Sequence, residues 1–140
     1  MTLEDPVSFP TSQVGAVQYG MAPDGTFWVT YRESSGSTTA RFDHLDAEGN
    51  NLGDGFTAPW NGWAPMAIDY YGGRVYAAQY SSSSFGFPIV SYAVESDAPD
   101  HGRLISDLDT SERLDEIQNI DIGVNGVGVV ATGGFHKIGI

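Results

Sequence analysis

VGAVQYGMAPDGTFWVTYRESSGSTTARFDHLDAEGNNLGDGF, residues 14–56, divides into four apolar segments separated by turn-forming residues. Val14, Ala16, Val17, Tyr19 and Met21 lead into a tight turn at Asp24 and Gly25, and the β-branched and aromatic run Phe27 to Tyr31 follows. After the polar loop Ser34 to Thr38 come Ala40, Arg41, Phe42 and Leu45, then an acidic turn from Asp46 to Asn50 and a last segment from Leu52 to Phe56. Short β-rich runs bounded by glycine, asparagine and aspartate are the pattern of antiparallel strands joined by hairpins.

The same unit recurs. Gly25 precedes Trp28 by three residues, and Gly73 and Gly126 precede Tyr76 and Val129 by the same interval, at offsets of 48 and 53 residues. Phe42 is answered by Tyr92, and the first segment by Ala64 to Ile68 and by Ile117 to Ile122; Lys137 to Ile140 stands where the third copy's next strand belongs. Leu3, Glu4 and Asp5 match Leu52, Gly53 and Asp54, with Leu104 to Asp107 as the next relative. The expectation is one all-β domain of three four-stranded antiparallel repeats, at about 14–56, 63–108 and 117–140 plus 1–9. Periods of about 40 to 50 residues with four short strands each are those of propeller blades. The glycine-led turn and the acidic hairpin thus resemble generic β-propeller repeats, at the level of fold and of no one family. Since propellers typically have four to eight blades, three repeats imply either a ring shared between two chains or a closed β-prism or β-trefoil-like domain. One helix is expected, over Asp109 to Ile117, where Asp109 and Glu112 have capping-box spacing.

Composition narrows the function classes. The 140 residues carry 18 acidic against 6 basic side chains, a net charge of −12, with Lys137 the single lysine. Such a surface repels phosphate backbones and anionic lipid, which argues against nucleic-acid partners. The same bias fits a protein adapted to high salt, where counterions screen self-repulsion. Absence of cysteine excludes disulfides and thiol chemistry. Met1 to Phe9 has no signal-peptide pattern and no run approaches the roughly 18 apolar residues of a membrane span, so cytoplasmic synthesis without membrane insertion is expected.

Alternation of strand direction sorts the loops onto two ends. One end is acidic, with Asp24, the turn from Asp43 to Asn50 and the turn from Asp97 to Gly102; the other is aromatic and serine-rich. The aromatic end supplies the candidate binding residues Trp60, Asn61, Trp63, Phe85 and Phe87, suited to a protein interface or to stacking on a sugar ring. At the acidic end Asp43, Asp46, Glu48, Asp97 and Asp100 are weak calcium candidates, because their spacing matches no established calcium loop and solvated turns account for them. No catalytic residue and no cofactor is indicated: His44, His101 and His136 fall in different repeats, and no serine sits in a nucleophile elbow. The resulting expectation is a non-catalytic protein that works by assembly and surface recognition, as a homo-oligomer or within a larger assembly such as a virus particle. A lectin-like carbohydrate-binding module is the alternative, and a glycan-processing enzyme subunit the third.

Overall fold

The structure, a computed structural model, describes residues 18–32, 34, 37–60, 67–78, 89–108, 117–123, 128–132 and 138–139, with the backbone alone at 106–108, 117–119, 128–132 and 138–139. Among the described residues eleven strands form three antiparallel sheets and no helix occurs. The first sheet has the order β1 (Gln18–Met21), β2 (Phe27–Tyr31), β3 (Thr39–Leu45), β4 (Phe56–Pro59). In the second the order is β5 (Ile68–Tyr71), β6 (Arg74–Ala78), β7 (Ile89–Ala93), β8 (Leu104–Leu108). The third is built from β9 (Ile117–Ile122), β10 (Gly128–Thr132) and β11 (Ile138–Gly139). Every strand pairs with its sequence neighbour, as short hairpins favour. At Gly25 and Gly73 φ is +86° and +77°, in the left-handed region that a side chain disfavours, which explains why these turn positions are glycine.

Strand alternation distributes the core. On β2, Trp28 faces the second sheet and Val29 and Tyr31 face away from it; all three are buried. The main core lies between the first two sheets, from Trp28, Ala40, Phe42, Ala58 and Trp60 on one side to Ile68, Val75, Ala77, Val90 and Tyr92 on the other. A smaller core joins the second sheet to the third through Ala67, Ala78, Ile89 and Ile120. The second sheet therefore buries both faces, one against each neighbour. Its first strand β5 packs beside β1 on one side and β9 on the other. Gly20 lies close against β5, since a Cβ there would stand 3.0 Å from Asp69 Cα.

One expectation changes. The fourth strand of the first unit is not Leu52 to Phe56 but Phe56–Pro59. Leu52 donates its N–H to His44 O and extends the β3 hairpin, after which Gly53, at φ +85°, turns the chain, and Leu52 is left about half exposed. β5 is described from Ile68, and residues 64–66, assigned above to the same segment, lie outside the described residues. Residues 1–9 and 109–116, assigned above to a terminal strand and a helix, lie outside the described residues; Ile117 opens β9.

Candidate functional site

The β1–β2, β3–β4 and β7–β8 turns meet at one end of the first two sheets and enclose a cleft of about 240 Å³. Asp24, Thr26, Trp28, His44 and Asp54 line it from the first sheet, and Tyr70 and Val94 to Asp97 from the second. Among the described residues four carboxylates, those of Asp24, Asp54, Glu95 and Asp97, border the cleft, and no lysine or arginine does.

A chain of hydrogen bonds crosses its first-sheet wall. Asp24 Oδ1 accepts from Thr26 N at 3.0 Å and from the Thr26 hydroxyl at 2.6 Å, closing the turn around Gly25. Thr26 Oγ1 lies 2.8 Å from His44 Nε2, and His44 Nδ1 lies 2.9 and 3.1 Å from the two Asp54 carboxylate oxygens. These bonds to Thr26 hold the Asp24 carboxyl below its ordinary pKa. The His44 ring is fixed from a third side by Trp28, stacked on it at 4.5 Å and 4° from parallel.

Thr26, His44 and Asp54 have the connectivity of a nucleophile, a base and its orienting carboxylate. Proton bookkeeping opposes that use. The Thr26 hydroxyl has one hydrogen, and at 2.6 Å it is directed to Asp24. Its oxygen then presents lone pairs, not a hydrogen, toward His44 Nε2, while Nδ1 faces a second acceptor in Asp54. The set ties the β1–β2 turn to the β3–β4 connection through both ring nitrogens.

Of the aromatic residues expected to form a binding face, Trp60 lies in the main core at 3% exposure, its ring 6.5 Å edge-on from Phe42. Asn61, Trp63, Phe85 and Phe87 lie outside the described residues. Asp43, at 5% exposure, accepts from Tyr31 Oη at 2.8 Å and from Arg41 Nε at 2.8 Å, on the face of the first sheet turned away from the second. Asp46 accepts from the N–H groups of Glu48 and Asn50 and from the Asn50 side chain; the side-chain bond above all lowers its pKa. Glu48 and Asp97 are exposed and Asp100 is half-buried in its turn. Among the described residues no three carboxylate or imidazole groups gather as a metal site would require, and no helix is long and apolar enough to cross a membrane.

Sequence reasoning placed Asp24 at the acidic end but missed Thr26, His44 and Asp54 as a set. Asp24-Gly25-Thr26 was a visible turn signal; nothing in the spacing of His44 and Asp54 announced their pairing across a hairpin. No protein-family model matches the chain, and no curated protein matches it.

Proposed function

We propose that this chain is a non-catalytic β-repeat scaffold of the propeller type, its sheets serving as blades, and that it acts by assembly with protein partners. The observation that carries the reading is strand register. Gly20 stands opposite Trp28, Asp69 opposite Tyr76 and Asp121 opposite Val129, so the three positions related by the sequence period occupy the same rung of their sheets. The first strands β1, β5 and β9 run side by side, as strands nearest a central axis do. A prism or trefoil would turn one face of each sheet to a shared core, whereas here the second sheet is covered on both faces. The commitment of the Thr26 hydroxyl to Asp24 supports a non-catalytic role.

Propeller rings typically hold four to eight blades, and the described residues form three sheets, which fits blades that join others in an assembly. Light scattering at low and molar salt tests the reading. The expected result is a mass above the 15.0 kDa of one chain, rising with salt as the −12 charge is screened. A mass of 15.0 kDa in both salts at every concentration would refute it.

A further inference from the structure

The blade reading above leads to a specific surface, because a contact made between neighbouring sheets has its two halves exposed at opposite ends of the stack. In register, Tyr19, Ile68 and Ile120 are equivalent, and so are Met21, Tyr70 and Ile122. Ile68 is buried against the first sheet with Tyr70 packed beside it, and Ile120 is buried against the second with Ile122 beside it. Tyr19 and Met21 have no such cover: they are 68% and 64% exposed, the two most exposed large hydrophobic residues described. On the same face Val29, Tyr31 and Leu45 are already buried and Phe27 is half-buried, so the most exposed apolar side chains of that face are on β1.

The other half is at β9. Asp69 turns toward the third sheet and accepts the N–H of Ile122 at 2.6 Å, a bond from one first strand to the next. Its register equivalent, Asp121, is exposed. The residue equivalent to the Ile122 donor is Met21.

We infer that β1 of one chain, through Tyr19 and Met21, docks on the β9 edge of a second copy, with Asp121 of that copy accepting the Met21 N–H as Asp69 accepts that of Ile122. The contact is heterologous, joining two different surfaces, and two copies joined head to tail twice would make a ring of six sheets, within the propeller range. Each half already has its counterpart within the chain. A second copy brings the two halves together.

Light scattering on the full chain and two variants tests this. Met21→Arg places a charge on the apolar half, and Asp121→Arg removes the acceptor; both positions are exposed, so the far-UV spectrum and melting of each variant should stay close to wild type, with Tyr19→Ser as a further variant of the first half. Wild type is expected at twice 15.0 kDa and each variant alone at 15.0 kDa. An equimolar mixture of the two is expected to recover a dimer, because one of its two contacts is then wild type on both sides. Assembly that persists in either variant, or no recovery on mixing, would overturn the inference while leaving assembly itself standing. A wild type that stays at 15.0 kDa overturns both.

Discussion

The indole of Trp28 and the imidazole of His44, opposite one another on β2 and β3, lie face to face at 4.5 Å and 4° from parallel. The stack puts a polar ring at the mouth of an apolar core and spends both of its nitrogens on fixing the turns above that core. Removing the ring therefore loses an aromatic contact and two hydrogen bonds together.

His44→Ala is expected to lower stability by about 2–3 kcal/mol, on the scale of a charge-assisted hydrogen bond plus an aromatic pair. Asp54→Asn, which keeps an acceptor for Nδ1, is expected to cost less than half as much. Urea unfolding of both variants measures this. A His44→Ala loss under about 0.5 kcal/mol, the level of an ordinary surface change, would mean that the network is incidental.

Acid sensitivity should trace in part to Asp24 and Asp46. Both carboxyls titrate below their ordinary 3.8 in the folded chain, through bonds from Thr26 and Asn50 respectively. Below 3.8 the unfolded chain binds more protons at these sites than the folded one does, so their stabilisation is present above 3.8 and lost as pH falls through the lower folded values. Asp24→Asn and Asp46→Asn should each melt below wild type at neutral pH, with the gap closing in acid. Both groups face solvent, so the gap should be small and narrow with salt. Melting curves at several pH values provide the check, and a gap that stays constant into strong acid would assign the effect to something other than these protons.

The turn glycines and the strands they introduce were legible because both are local: Gly25 and Gly73 need left-handed backbone, and Phe27 to Tyr31 combines β-branched with aromatic residues. The register was legible too, since the interval from glycine to Trp28 and to Tyr76 keeps the pleat in phase. The fourth strand of the first sheet was misplaced for a tertiary reason. Leu52 reads as a strand residue, but its N–H is taken by His44 and Asp54 is held by the His44 ring, so the new strand starts only at Phe56. The His44 network could not be read because its members are 10 and 18 residues apart and meet only through hairpin pairing. Trp60 was expected in an exposed connector because proline and glycine flank it, yet as the residue after β4 it donates its N–H to Thr38 O and turns inward.

Gly55 is the glycine whose replacement should be felt most directly. A Cβ there would stand 2.6 Å from Phe42 O and 2.8 Å from Asp43 Oδ1, and the first of these is backbone in the middle of β3. Gly55→Ala must displace the entry to β4, with an expected loss of about 1–3 kcal/mol, as for other overpacked sites. Gly53→Ala differs: its Cβ would meet nothing within 4 Å, and only the +85° φ opposes it. It should cost about 1 kcal/mol. Thermal unfolding of the pair separates a steric cause from a backbone one, and an equal loss in both would contradict the steric account.

Trp60 decides how a binding experiment must be read. At 3% exposure, against Phe42 and within the core shared by two sheets, its indole is positioned to hold the sheets together. Trp60→Ala is expected to cost about 3–5 kcal/mol, the range for deleting a buried aromatic side chain. That is a large fraction of the roughly 5–15 kcal/mol that stabilises a typical domain, so any glycan or protein binding lost in this variant would be lost with the fold. Trp60→Phe keeps much of the volume and is expected to stay folded with a lower melting temperature. Binding that survives in Trp60→Phe in proportion to the folded fraction would mark Trp60 as core. Binding abolished in Trp60→Phe with the melting temperature unchanged would instead make the indole a contact residue and return the sugar-stacking role to it.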